Sequence, residues 1–422
     1  MKVKRLYIDG YKNLTKCEIR PSELHAITGI NGSGKSNFLE IFQFIAALIT
    51  RDDAFRDNLL LKGHCPSSGS QWFPIPTDNA TIPPLQFQLE CETNVNETPY
   101  IVTYSLEIAG ALTGEKGNYD LTGQGLIAHE KLDIKQVGTP GPMKTVLSRD
   151  VDGSVTTHPE TAGSRNIQTF KTKKNMSAIQ ALEVREADDF TEKHPVLNQF
   201  KTGLTSSVVV KLNPETIARL SRYDSNQKTG PRSLGTPLHS FSLFESIQAI
   251  NDEKVDLDEY KYWLKILCNI DEIDAKSEEI DENTKLGEKR FIFIKREEQF
   301  LTPEELSTGN LVLLSLVTAL FSLLRTSGIV IFEEPETYIH PKALIDLIAL
   351  LRNISEFKSV LFSTHSPVAL NSMRAREVTL MISSGSGRYT SRPVEEIKEA
   401  SDAISRGHIS FGDLLQSNFM TE

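Results

Sequence analysis

The chain has 422 residues, of which 39% are hydrophobic and 24% charged, and a formal net charge of −10 at pH 7. That length accommodates two or three cores, and the balance is that of a globular protein, not a disordered or fibrous one. The acidic charge excludes a surface coated for nucleic acid while leaving room for a local basic groove. The longest apolar stretches, Asn37–Thr50 and Leu311–Leu324, are each one helix long and too short to span a bilayer.

In chain order, Met1–Tyr11 alternates Lys/Arg with apolar residues and reads as a strand, not a secretory leader. The chain's four cysteines (Cys17, Cys65, Cys91, Cys268) are scattered without a C-x-x-C pair, so no zinc or disulfide framework is expected and a reducing cytoplasm is the expected setting. Val3–Ile8 and Cys17–Ile19 form a strand pair about a turn through Gly10-Tyr11-Lys12-Asn13. A third strand, Leu24–Thr28, runs into a glycine loop, after which Phe38, Leu39, Phe42, Ile45, Ala46 and Ile49 recur at helical spacing. A loop rich in Pro, Ser and Gly (Cys65–Pro84) precedes strictly alternating Leu85–Cys91. With Tyr100–Ile108, Leu126–Ile134 and Thr145–Arg149, this predicts an antiparallel meander over 85–157. Ser177–Asn283 reads as mostly helical, broken by a strand at Ser207–Leu212 and a polar loop at Tyr223–Pro237, with acidic Asp252–Asn283 as a solvated helical face. The last third returns to α/β: a strand at Phe291–Ile294, an apolar helix at Leu306–Leu324, a buried strand at Ile329–Phe332, a helix at Pro341–Asn353 and a buried strand at Ser359–Phe362. Glu377–Ile382 and Arg388–Arg392 close as a hairpin.

Gly29-Ile30-Asn31-Gly32-Ser33-Gly34-Lys35-Ser36, with Asn37 behind it, fits a phosphate loop in full. Its glycines let backbone N–H groups turn toward an anion at a helix N-terminus. Lys35 would reach the β- and γ-phosphates of ATP and the Ser36 hydroxyl would bind Mg²⁺. Ile329–Phe332 ends in Glu333-Glu334-Pro335. In P-loop ATPases such a strand is expected beside the phosphate-loop strand, bringing Glu333 to the Mg²⁺ shell and Glu334 to the attacking water as general base. Ser307 in Leu306-Ser307-Thr308-Gly309-Asn310 would alone be an ordinary N-cap, and His365 in Ser363-Thr364-His365-Ser366-Pro367 would alone be a structural histidine.

In this order, the four motifs resemble those of ABC-type ATPases of the SMC, Rad50, RecF and OLD kind, most closely the prokaryotic AAA15 and AAA21 groups. Glu333-Glu334-Pro335-Glu336-Thr337-Tyr338-Ile339-His340-Pro341 and Ile8-Asp9-Gly10-Tyr11-Lys12-Asn13-Leu14 are similar to runs of those groups, the second lying near the nucleotide. The resemblance is specific over 1–50 and 291–370 and diffuse between. It implies that Ser307 and Gly309 meet the γ-phosphate held by a second subunit, and that His365 is a switch histidine. Three departures stand out: Glu333 where aspartate is usual, Thr308 where glycine or aspartate is commoner, and no clear glutamine loop, Gln168 and Gln180 being the candidates.

The expected fold is therefore an α/β ABC-type P-loop ATPase head with an antiparallel β subdomain and a mostly helical insertion. Its expected parts are 1–60 (first half of the head), 61–160 (β-rich arm), 161–290 (helical insertion) and 291–422 (second half). No heptad array separates the motif halves, and the stretch after His365 is too short for the nuclease domain of OLD proteins. The resemblance thus implies an ATPase switch, a homodimer around ATP with higher assemblies of it, acting on a separately encoded nuclease-type effector. The ATPase subunits of two-gene anti-phage systems such as Septu and PARIS are similar. The alternative is a RecF-like repair ATPase binding duplex DNA directly, with Lys171–Lys174 and Lys285–Arg296 as basic stretches.

Overall fold

The structure is a computed structural model that describes residues 1–50, 83–109, 113–115, 118–120, 126–160, 167–211, 243–253, 257–279, 288–324, 326–397, 410 and 412. The loops expected over 65–84 and 223–237 lie outside the described residues, except for 83 and 84. So do 285–287 of the second basic stretch.

The chain opens with β1 (Lys2–Asp9), β2 (Cys17–Ile19), β3 (Leu24–Gly29) and α1 (Lys35–Thr50). A run of strands follows: β4 (Leu85–Val95), β5 (Thr98–Ala109), β6 (Thr113–Glu115), β7 (Asn118–Asp120), β8 (Leu126–Gln136), β9 (Lys144–Arg149), β10 (Ser154–Thr157) and β11 (Gln168–Lys171). The middle holds α2 (Ala178–Arg185), α3 (Phe190–Lys193), α4 (Pro195–Thr205), β12 (Val208–Val210), α5 (Leu243–Glu253), α6 (Leu257–Cys268), β13 (Glu272–Glu279), β14 (Glu288–Arg296) and β15 (Gln299–Leu301). The end comprises α7 (Thr308–Leu323), β16 (Val330–Glu333), α8 (Pro341–Ser355), β17 (Val360–Ser363), α9 (Pro367–Asn371), β18 (Val378–Gly385) and β19 (Arg388–Pro393).

These strands make a six-stranded sheet in the order β12-β16-β17-β3-β18-β19, parallel from β12 to β18 and closed by antiparallel β19. Parallel strands buried on both faces read as unbroken apolar runs, and alternate side chains go to opposite cores. Val330, Phe332, Val360, Phe362 and Ala26 enter one core with α5, α6, α7 and α8. Ile331, Leu361 and Ile27 enter the other, where Phe38, Phe42 and Ile45 of α1 bridge to Leu6 and Phe87 of a second sheet. That second sheet is antiparallel and eight-stranded, β11-β10-β9-β8-β5-β4-β1-β2, so the expected meander is extended by the N-terminal strand pair. α1 is thus wedged between two sheets, with its N-terminus left at their edge. No described helix is long and apolar enough to cross a membrane.

Two expectations are corrected. The acidic strand β16 does not lie beside the phosphate-loop strand, because β17 pairs with both and separates them (Val330↔Val360, Val360↔Leu24). Apolar periodicity reports burial, and it is silent about which buried strand neighbours which. The segment read as mostly helical holds, besides the strand expected at Ser207–Leu212, a second strand that was not expected. The expected one is β12, which joins the central sheet through Val208↔Val330. β13 pairs along β14 from Glu272↔Lys295 to Glu279↔Glu288, with Ala275 buried beneath an otherwise acidic run.

Candidate functional site

The glycine loop leaves β3 and turns into α1, with Ile30, Asn31 and Gly32 exposed and Ser33, Gly34 and Lys35 buried. Lys35 Nζ donates to the carbonyls of Gly29 (3.1 Å) and Ile30 (3.0 Å), folding the side chain back over the loop. Burial holds its pKa below the ordinary lysine value, opposed by the charges of Glu334, Glu333 and Glu336. Ser33 Oγ is buried without a partner among the described residues. Gly34 has φ +89°, and a Cβ there would lie 2.7 Å from both Asn13 Oδ1 and Leu14 Cδ2, so the position demands glycine twice over.

The N-terminal turn is the wall behind this loop. Asn13 Nδ2 donates to Gly32 O (3.0 Å), and Asn37 Nδ2 donates to Asn13 Oδ1 (2.8 Å). Tyr11 is fully buried edge-on against Phe44, and Lys12 pairs with Glu40 at 2.5 Å. The aromatic of this run therefore anchors the turn in the core, and Asn13, which sequence reasoning had not singled out, reaches the loop.

Three parallel strands deliver the remaining polar groups to the same edge. Ser36 Oγ donates to Glu333 Oε1 at 2.5 Å, joining the first residues of α1 to the end of β16. Glu334 follows in a left-handed backbone conformation, φ +47°, with its N–H directed at Ser363 O and Oγ (3.2 Å each). Such a conformation in a non-glycine residue costs about 1–3 kcal/mol and clusters at functional sites. His365 Nε2 lies 3.4 Å from Glu334 Oε1. Desolvation, and then the Lys35 charge, hold the His365 pKa below its usual value, with Glu334 and Glu336 opposing, so the ring is largely neutral at pH 7. Glu336 Oε1 accepts from Thr364 Oγ1 (2.7 Å) and His365 N (2.8 Å), strapping the histidine's loop to the turn after β16.

Ser307 and Gly309 stand apart. Ser307 caps α7 by accepting from Asn310 N (3.4 Å), is exposed, and has no hydrogen bond to the glycine loop among the described residues. A Cβ on Gly309 would lie 2.8 Å from the Tyr338 carbonyl oxygen, so the helix start packs directly on the turn that follows the two acids.

Neither glutamine candidate is placed here. Gln168 opens β11 at the far edge of the antiparallel sheet and Gln180 lies in α2. The residue that emerges beside Glu333 is Lys211, whose Nζ is 3.0 Å from Glu333 Oε1. Its only advance signal was its position directly after a short valine strand.

Among the described residues, no group of three or more His, Cys, Asp or Glu is placed to hold a metal ion. Mg²⁺ needs no such cage, since it is bound by one or two carboxylates, water and substrate phosphates. The hard oxygens of Ser36 and Glu333, 2.5 Å apart at the mouth of the loop, fit that ion. The orphaned Ser33 hydroxyl, the Lys35 ammonium and a helix N-terminus fit a phosphate chain.

Strand order and loop together define an α/β P-loop ATPase head. Over residues 24–88 and 222–371, just over half of the chain, the sequence matches the family model described as "AAA domain, putative AbiEii toxin, Type IV TA system", and the chain belongs to that family. No curated protein matches it. Among solved structures it is similar to an SMC head domain from Thermotoga maritima (14% identity, 93% of this chain and 99% of that one, TM-score 0.43). Two others are an Smc head bound to the C-winged helix domain of ScpA (12%, 94% and 100%, 0.47) and an Smc head with an extended coiled coil bound to the C-terminal domain of ScpA derived from Pyrococcus furiosus (11%, 96% and 99%, 0.45).

Proposed function

We propose that this protein is an ATP-binding and ATP-hydrolysing switch that closes as a homodimer around ATP and controls a separately encoded effector. The observation that carries this reading is the split of the site. Lys35, Ser36, Glu333, Glu334 and His365 gather at the ends of three adjacent strands, while Ser307 is exposed at another helix start, whose Gly309 packs on the Tyr338 turn. A second copy supplies the missing half.

In this scheme the amides of Asn31–Ser36 and the Lys35 ammonium bind the phosphates, with Asn37 bracing the loop through Asn13. Ser36 and Glu333 would hold Mg²⁺, which would supply charge neutralisation at the phosphates when bound. Glu334 takes the proton of the attacking water, and neutral His365, 3.4 Å away, positions the γ-phosphate side. Ser307 Oγ and the α7 N-terminus of the partner face the γ-phosphate, so hydrolysis removes what joins the subunits. The family description names a toxin of a toxin–antitoxin system. It supports a role in anti-phage defence with a separately encoded partner, of the kind seen in PARIS-like and Septu-like pairs.

The test is turnover of ATP by the purified chain and its loss in Glu334→Gln, which should still retain ATP. Failure to bind ATP, or wild-type turnover by Glu334→Gln, overturns the proposal. Co-purification with products of neighbouring genes identifies the effector.

A further inference from the structure

β12 pairs in parallel with β16 through Val208↔Val330, Val209↔Ile331 and Val210↔Phe332. The next residue of each strand, Lys211 and Glu333, therefore leaves the sheet side by side. Lys211 Nζ lies 3.0 Å from Glu333 Oε1, the oxygen that also accepts from Ser36 Oγ at 2.5 Å. The two partners are held unequally: the Lys211 side chain is 63% exposed and that of Glu333 only 15%. A lysine is a point charge on a flexible four-carbon stem, able to leave an exposed pairing at small cost. A divalent cation held by Ser36 and Glu333 would meet this ammonium at the same oxygen, where like charges repel.

We propose that Lys211 is a displaceable counter-ion of Glu333, neutralising the carboxylate before metal and nucleotide arrive and yielding to Mg²⁺ when they do. It thereby sets the Mg²⁺ concentration at which nucleotide seats. The proposal rests on the nucleotide-binding reading of this site.

The experiment is Mg²⁺ titration of fluorescent ATP-analogue binding to the full chain, as wild type, Lys211→Met and Lys211→Arg. Lys211→Met is expected to lower the half-saturating Mg²⁺ concentration by about two- to fivefold, the range exposed ion pairs support. Lys211→Arg should stay near wild type, and metal-free binding in EDTA should stay within about twofold in all three. An unchanged or raised half-saturation in Lys211→Met overturns the counter-ion role. So does metal-free binding weakened by about tenfold, which places Lys211 on the phosphates instead. A wild-type chain that binds no analogue at any Mg²⁺ concentration removes the nucleotide reading itself. Normal wild-type binding with an indifferent Lys211→Met removes only the counter-ion. If Lys211→Met does not fold, Lys211→Gln against Lys211→Arg makes the same comparison.

Discussion

Asn13→Ala tests how the glycine loop is held. The side chain donates to Gly32 O at 3.0 Å and accepts from Asn37 Nδ2 at 2.8 Å, while its own carbonyl accepts from Tyr389 N at 2.8 Å and is untouched by the substitution. An ordinary hydrogen bond nets about 0.5–1.5 kcal/mol. With one of the two solvent-exposed, their joint loss is about 1–2 kcal/mol. If that order is restored only when phosphate binds, the apparent Kd for ATP rises by about 5- to 30-fold. Turnover at saturation should stay within about twofold, because Asn13 touches neither Glu334 nor His365. Fluorescent-nucleotide titration and steady-state hydrolysis separate the two effects. An unchanged Kd with reduced turnover would refute the bracing role. A double-mutant cycle sharpens the test, since a Cβ at Gly34 would lie 2.7 Å from the Asn13 Oδ1 that the substitution removes. Gly34→Ala should cost less on the Asn13→Ala background by at least about 0.5 kcal/mol, with Leu14 Cδ2 keeping the relief partial. Strict additivity would count against the packing described.

Glu336→Ala frees the Thr364 hydroxyl and the His365 amide, and should lower kcat by about 10- to 100-fold with KM changed less than about threefold. Glu336→Gln should fall between, and a change confined to KM would contradict the positioning role. Gly309→Ala forces a Cβ to within 2.8 Å of Tyr338 O and should cost about 1–3 kcal/mol in denaturant unfolding. It should also abolish ATP-dependent association while a single chain still binds nucleotide, so retained association would argue against the role of this helix start. His25 is buried, with Nε2 2.9 Å from Thr379 Oγ1, and desolvation pushes its pKa down to about 4 from 6.5. Below pH 6.5 the unfolded chain binds a proton that the folded chain refuses. The stability is therefore fully present above that pH and lost as pH falls toward 4, by up to about 3 kcal/mol. Wild type should lose more stability between pH 7 and 5 than His25→Gln, and equal losses would refute the assignment.

The sequence made the local parts of this site legible because each is a local physical event. A strand, glycines and a buried helix announce the loop, and an apolar run ending in carboxylates announces β16. What it left hidden depends on neighbours. Val360–Ser363 and Val330–Glu333 are both short apolar runs, and nothing in either says that the first separates the second from β3. Val208–Val210 is a three-residue strand whose importance is wholly its pairing, and Lys211 inherits its place from that pairing. The run Ile8–Leu14 was expected near the nucleotide without a residue assigned to the contact; the Tyr11 ring is fully buried against Phe44, and Asn13 reaches the glycine loop. In β13 Ile273 and Ala275 turn inward within an acidic run, and two apolar residues in eight are too few for period-two alternation to stand out from a solvated helical face.

Light scattering of Glu334→Gln with Mg²⁺ and ATP tests the shared site most directly. The mass should double relative to the nucleotide-free protein, and return to the single-chain value when Ser307→Arg is added, with ATP still bound at saturating concentration. A Glu334→Gln protein that binds ATP without a change in mass, or one that still doubles with Ser307→Arg, would contradict an active site completed in trans.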